Sequence, residues 1–249
     1  MSTVTQPNSI QPNAIQLSSI QLKNISQSFT LNEAKVTLFE QLNLTIKQGQ
    51  SYAITGPSGA GKSSLLMLMS GLEKPTSGEG CYLTGSQVAS LESLRTYIGF
   101  IFQQFHLLPE LSALNNVALP LKLRGDKTAV SKAIAMLTKV GLSDRMHHSP
   151  SELSGGEQQR VAIARALVFQ PRFIFADEPT GNLDEKSAGD IANTLFSCCK
   201  ENNAGLVMVT HSEGLAQRAD HIYRLNQGRL LKDSNHNRES KILEAAYVN

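Results

Sequence analysis

The sequence predicts an α/β protein: a mainly parallel sheet with helices on both faces, an N-terminal antiparallel β-subdomain ahead of it and an α-helical subdomain inserted into it. Three observations predict it. Short apolar runs alternate with helical patterns from "SYAIT" (51–55) to "HIYRL" (221–225), the rhythm of a parallel sheet. The first of those runs passes straight into a glycine-rich loop that opens a helix. The stretch from about residue 103 to 155 is predominantly helical in pattern and breaks the alternation.

Taken in order, residues 1–21 hold three rough copies of a five-residue unit, "PNSIQ", "PNAIQ" and "LSSIQ". Such Gln, Asn, Ser and Pro content buries little, so this segment is expected to be a flexible tail. The β-like stretches "IQLKNIS", "LNLTI" and "SYAIT" follow, separated by polar residues and the turn "KQGQ". A helix is expected from Lys62 to about Ser70, then the strands "CYLTG" and "YIGFIF". The helical region runs from about Phe105 to Glu152, with Val130, Ile134, Leu137 and Val140 on one face ahead of Gly141. Then come a helix opening near Ser154, the strand "RFIFA", a helix from about Glu185 to Lys200 and the strands "LVMVT" and "HIYRL". From about Lys232 to Asn249 a second tail is expected.

Composition narrows the function. The chain has 249 residues, 41% of them apolar, enough for a sizeable core. Its 23 basic and 21 acidic residues leave a net charge of +2, which gives no wholesale attraction to nucleic acid or to an anionic membrane. Phosphate recognition is therefore expected to be local, with no nucleic-acid partner. The longest apolar stretches, "SLLMLMSGL" and "NNVALPLKL", fall far short of the roughly 18 residues that span a bilayer, and no signal or transit peptide is visible. Cys81, Cys198 and Cys199 have no metal-ligand spacing and read as reduced thiols.

Local phosphate recognition has an evident seat. "GPSGAGKSS" comprises Gly56, Pro57, Ser58, Gly59, Ala60, Gly61, Lys62, Ser63 and Ser64, and matches G-x-x-x-x-G-K-[ST] between a strand and a helix. The glycines let backbone N–H groups wrap a phosphate; Lys62 would reach its outer oxygens and Ser63 would offer a hydroxyl to Mg²⁺. A glycine-rich turn ahead of a core helix would explain the glycines but not Lys62 and Ser63 together. At the end of the buried run "RFIFADEPT", where open α/β sheets place ligands, stand Asp177 and Glu178. Asp177 suits Mg²⁺, and Glu178 suits a water aimed at the γ-phosphate.

"ELSGGEQQRVAIARAL" (152–167) holds an oddity. Ser154 and Glu157 fit a capping box, yet Gly155 and Gly156 weaken the first turn they introduce, by roughly 0.5–1 kcal/mol each relative to Ala. A helix start with bare N–H groups suggests that something must come close to it.

With "LSGGEQQR" between "GPSGAGKSS" and "FIFADEPT", the chain resembles the nucleotide-binding domain of ATP-binding cassette transporters over about residues 22–231. The resemblance implies a P-loop NTPase core, ATP and Mg²⁺ as ligands, and ATP hydrolysis. It further implies that Leu153 to Gln158 are the family signature, that Gln103 is the glutamine that reaches the metal and reaction centre, and that Asn182 to Asp184 form the loop at the dimer contact. His211, after "LVMVT", would contact the γ-phosphate and Phe29 would stack on adenine. Two copies would pair head to tail around two ATP, each presenting Ser154, Gly155, Gly156 and Glu157 to the other's γ-phosphate. The wording of "FHLLPELSALNNVALPLKLRG" (105–125), "GEQQRVAIARAL" and "ADEPTGNLD" is most similar to the subgroup serving lipoprotein release, macrolide export and related cell-division and peptide export. The implied second partner is an integral-membrane permease beside Leu107, Leu108, Leu111, Leu114 and Val117, which would hold the chain at the cytoplasmic face of the inner membrane. A non-transport cassette ATPase of translation or DNA repair is the alternative. A catalytically silent binding module is disfavoured by Lys62, Asp177 and Glu178.

Overall fold

A computed structural model describes residues 17–31 and 34–234. The strands are β1 (Ser18–Leu31), β2 (Ala34–Lys47), β3 (Ser51–Thr55), β4 (Ser77–Thr84), β5 (Gln87–Ser90), β6 (Ile98–Ile101), β7 (Phe173–Asp177), β8 (Gly205–Val209), β9 (His221–Asn226) and β10 (Arg229–Lys232). The helices are α1 (Lys62–Met69), α2 (Ala113–Leu123), α3 (Ala129–Lys139), α4 (Gly155–Leu167), α5 (Glu185–Glu201) and α6 (Glu213–Ala216). One sheet is antiparallel, in the order β2-β1-β4-β5. The other has the order β10-β9-β3-β8-β7-β6, parallel except for the β9–β10 hairpin.

Strand alternation divides the core. Tyr52 and Ile54 of β3, Phe173 and Phe175 of β7, and Val207 and Val209 of β8 point to one face of the parallel sheet. There they pack with Leu65, Leu66, Leu68 and Met69 of α1 and with Ile20, Leu22, Phe39 and Ile46 of the antiparallel sheet. The intervening residues Ala53, Ile174, Ala176, Leu206 and Met208 face the opposite side, against α4, α5 and the helical insertion. Because both faces are covered, these strands read as unbroken apolar runs. The arrangement also fixes α1, and with it the glycine-rich loop, against the middle of the sheet.

The structure departs from the sequence expectation in several places. β1 begins at Ser18, so residues 18–21, assigned to the tail, pair instead with β2 and β4. The polar composition hid an alternation in which Ser18, Ile20 and Leu22 are all buried, and the Tyr82 hydroxyl donates to Ser18 Oγ at 3.1 Å. At the other end, Lys232 still belongs to β10. The remaining tail expectations, for residues 1–16 and 235–249, lie outside the described residues.

Within the insertion, residues 103–112 form an irregular loop rather than helix. Buried Asn116 knits it: the side chain accepts from Leu108 N at 2.8 Å and donates to the carbonyls of Leu108, Leu111 and Ser112. On α3 the buried stripe is Ala129, Ala133, Leu137 and Val140, whereas Val130 and Ile134 are 44% and 41% exposed. The alanines thus lie on the buried side of α3, and Val130 and Ile134 lie on its outer side. Of the apolar residues expected near a groove, Val117 is buried, Leu107 and Leu114 pack on the core, Leu111 is half-buried and Leu108 is 42% exposed.

Phe175 is fully buried between α1 and the sheet, stacked 6.2 Å from Phe100. Phe175→Ala is expected to lower unfolding free energy by about 3–5 kcal/mol, read as a shift of the urea midpoint at unchanged slope.

Candidate active site

The site grows from the carboxyl ends of the parallel strands. After β3 the chain turns at Gly56, whose φ is +149°, and a Cβ there would stand 2.1 Å from the Leu225 carbonyl oxygen. No side chain fits this position. At Gly61 (φ +89°) the chain enters α1 with no side-chain cap, so the first-turn N–H groups are left for an external acceptor. This loop, Gly56 to Ser64, is where phosphate binding is expected.

Lys62 begins α1 and is only 6% exposed. Its Nζ donates to the carbonyls of Gly56 (3.0 Å) and Pro57 (2.9 Å) and lies 3.4 Å from His211 Nε2. Burial pushes the ammonium below the usual lysine pKa, while the negative charges of Glu178 and Asp177 counter the shift. Both carboxylates thus bear on Lys62. Ser63, next on the helix, is exposed at its mouth.

Asp177 closes β7, and Glu178 follows with φ +46°, a left-handed conformation that costs energy in a residue other than glycine. The kink is anchored by the Glu178 N–H donating to Val209 O at 3.0 Å. It explains how two adjacent residues, which would alternate across an ideal strand, both act on Lys62. Glu178 Oε2 accepts from the His211 N–H (3.2 Å), and Oε1 lies 3.3 Å from His211 Nε2. That ring nitrogen cannot accept from Lys62 and donate to Glu178 at once. With Nε2 accepting, Glu178 Oε1 is a buried carboxylate oxygen without a hydrogen-bond donor among the described residues. Such an atom calls for a proton donor from outside.

Gln103 lies in the loop after β6. Its Nε2 donates to Asn182 Oδ1 (3.2 Å), and Asn182 Nδ2 donates back to the Gln103 carbonyl (2.9 Å). Gly181, whose N–H donates to Glu178 O at 3.0 Å, holds this loop against the Glu178 turn; a Cβ on it would stand 3.2 Å from Gln103 Nε2. Asp184 caps α5 by accepting from Ser187 N–H at 3.0 Å, and the Ser187 hydrogen bonds hold its carboxyl below the usual value. Phe29, on β1 opposite Val36, is 45% exposed rather than part of the core.

Ser154 caps α4 as expected. Its Oγ accepts from the Glu157 N–H (3.3 Å), and Glu157 Oε2 takes both the Ser154 N–H and its hydroxyl at 2.8 Å. Those bonds hold Glu157 below the ordinary glutamate pKa, with Arg145 adding to them at 3.1 Å. The two glycines differ from Gly56. Neither has a positive φ, and a Cβ would meet only ordinary contacts, 3.5 Å from Leu183 Cδ2 at Gly155 and 3.7 Å from Ser187 at Gly156. Nothing among the described residues requires glycine at either position.

Gln159 was missed. It is 1% exposed on α4, and its Nε2 donates to Pro179 O at 2.7 Å, tying the helix to the segment just after Glu178. Its inward position follows from the stripe it shares with Ile163 and Ala166; the amide nitrogen is satisfied there, while Oε1 has no partner among the described residues. Among the described residues no cluster of three or more His, Cys, Asp or Glu side chains could hold a metal ion, and no helix is long and apolar enough to cross a membrane.

Comparison with known proteins identifies the family. Residues 39–181 match the family model described as ABC transporter. The chain is 45% identical to the lipoprotein-releasing system ATP-binding protein LolD of Xanthomonas euvesicatoria pv. vesicatoria, over 83% of this chain and 87% of that protein. It is 46% identical to the macrolide export ATP-binding/permease protein MacB of Bdellovibrio bacteriovorus, over 84% of this chain but 33% of that longer one. A solved dimeric post-hydrolysis state of the ATP-binding cassette MJ0796 bound to ADP and phosphate superposes with a TM-score of 0.76 at 36% identity, covering 86% of this chain and 97% of that one. The chain therefore belongs to the ABC transporter family, as an ATP-binding and ATP-hydrolysing cassette.

Proposed function

We propose that this cassette hydrolyses Mg·ATP at the site formed by Lys62, Glu178 and His211 and drives a membrane permease of the lipoprotein-release or macrolide-export type. The observation that carries the chemistry is the buried oxygen of Glu178, without a donor and 3.3 Å from His211 Nε2, itself 3.4 Å from Lys62 Nζ. Gly56 to Ser64 would cradle the phosphates, with Lys62 turning from the Gly56 and Pro57 carbonyls to the outer oxygens. Glu178 would orient the attacking water and take its proton at Oε1, while His211 holds the Glu178 carboxylate through its backbone N–H. Phe29, exposed on β1, is available to stack on adenine.

The oxygen-donor set at hand, the hydroxyl of Ser63, the carboxylate of Asp177 and the carboxamide of Gln103, fits Mg²⁺. A single carboxylate with neutral oxygens suits an ion that arrives with substrate phosphates rather than one held in a protein cage. When bound, Mg²⁺ would neutralise charge developing on the phosphate oxygens.

The spare glycines of α4 support a head-to-tail pair of this chain, because none of the described residues makes use of this bare helix N-terminus. In that pair Ser154, Gly155, Gly156 and Glu157 would face the partner's γ-phosphate, with Asp184 at the contact, and two ATP would be enclosed. The lipoprotein-releasing and macrolide-export relatives favour transport over the translation or DNA-repair alternative. A chain without a crossing helix among its described residues would then sit at the cytoplasmic face of the inner membrane through its permease.

Glu178→Gln is expected to bind ATP and dimerise, yet to hydrolyse it at least about 10²-fold more slowly; near-normal turnover would refute the role of Glu178. Ser154→Arg should leave ATP binding to the monomer intact and abolish dimer-dependent hydrolysis, whereas equal loss of monomer binding would place Ser154 in its own protomer's site. Gly156→Ala tests the glycines from the opposite direction. It should raise thermal stability slightly, by about 0.5–1 kcal/mol, while lowering turnover, and a variant that is destabilised instead would show that the fold itself needs this glycine.

A further inference from the structure

Arg165 lies near the C-terminal end of α4, beyond the signature residues Leu153 to Gln158, and has been given no role above. Its guanidinium crosses to the loop after β6, where one terminal nitrogen donates to His106 O at 2.6 Å and the other to Phe105 O at 2.9 Å. Two converging bonds from one planar fork to successive carbonyls define a position more sharply than a single bond from a flexible ammonium could. The loop they hold is bent: His106 has φ +47°, a conformation that persists in a non-glycine residue only when its surroundings impose it. The other end of α4 lies near the same segment: a Cβ added at Gly155 would stand 3.8 Å from Phe105 Cζ.

Gln103 stands two residues before this clamp. Asn182 takes the Gln103 amide nitrogen and donates to its backbone carbonyl, an arrangement that leaves the carboxamide oxygen outside these bonds. The segment 103–106 is thus held at one end by Asn182 and at the other by Arg165. Of the two tethers, Arg165 alone comes from the helix that carries Ser154.

We propose that Arg165 is a positioning residue for ATP hydrolysis, which sets the placement of the Gln103 carboxamide by clamping Phe105 and His106 to α4. The proposal rests on the role given above to Gln103. It makes the helix that faces the partner's nucleotide and the glutamine of the chain's own site parts of one mechanical unit.

The test is a double-mutant cycle in the full-length chain, with steady-state ATP hydrolysis and Mg²⁺ titration as readouts. Arg165→Met keeps the aliphatic stem and removes the fork. It should lower kcat about ten- to hundredfold and raise the half-saturating Mg²⁺ concentration, while KM for ATP and the affinity for a fluorescent ATP analogue stay within about twofold. If Arg165 acts through Gln103, the double variant with Gln103→Ala will turn over within about twofold of Gln103→Ala alone. Losses that multiply in the double variant would make Arg165 a general structural tether and overturn the proposal. A Gln103→Ala variant with normal turnover and Mg²⁺ dependence would instead refute the role of Gln103, a distinct failure. Should Arg165→Met not fold, the cycle is run with Arg165→Lys, which keeps the charge but cannot bond both carbonyls as a fork; unchanged turnover in that variant would equally overturn the proposal.

Discussion

A buried ammonium at the carboxyl edge of a parallel sheet is the constraint on which the rest of this structure depends. Lys62 is almost without solvent, and an isolated charge so placed would be costly unless other groups took over the work of water. Two loop carbonyls, a histidine nitrogen and the fields of two carboxylates do so. Each of these comes from a different part of the chain. The carbonyls require the loop to fold back on its own helix, the carboxylates require β7 to end two strands from β3, and His211 requires β8 to lie between them. The order of the central strands is thereby tied to one cation.

The same arrangement stores reactivity. Glu178 is held in a left-handed turn by Val209 and touches His211 through both carboxylate oxygens, but only one of those contacts brings a proton. A carboxylate oxygen kept buried and without a donor is poised to accept one. Near it Gln103 and Asn182 are paired, and Gln159 and Arg165 of α4 bond the carbonyls of Pro179, Phe105 and His106 in the adjoining backbone. Groups that lie far apart in sequence are thus linked by hydrogen bonds and short runs of backbone.

Glycine carries two opposite meanings in this chain. Gly56 is dictated from within, since any side chain would collide with the Leu225 backbone. Gly155 and Gly156 have no positive φ and room for a methyl group, so no described neighbour requires them and α4 loses some of its intrinsic helical preference. A residue that weakens its own element without an internal reason points to a requirement outside the protomer.

How much of this was legible beforehand follows from what each signal depends on. The alternation of strands and helices, the phosphate loop, the Asp177–Glu178 strand end and the Ser154–Glu157 capping box are written in local spacing, and sequence alone determined them. The beginning of β1 was obscured because Ser18 and Gln21 look like linker residues until β2 and β4 are present to pair with them. The outward placement of Val130 and Ile134 depended on which face of α3 packs inward, the one with Ala129, Ala133 and Leu137. Only the tertiary structure brought Gln103 to Asn182, left Glu178 Oε1 without a donor and laid Arg165 across Phe105 and His106. The physical reason is that spacing along a chain specifies which groups share a turn, a helix face or a strand face. Which groups meet across 33, 79 or 59 residues, as His211 meets Glu178, Gln103 meets Asn182 and Arg165 meets His106, is decided by the packing of whole layers.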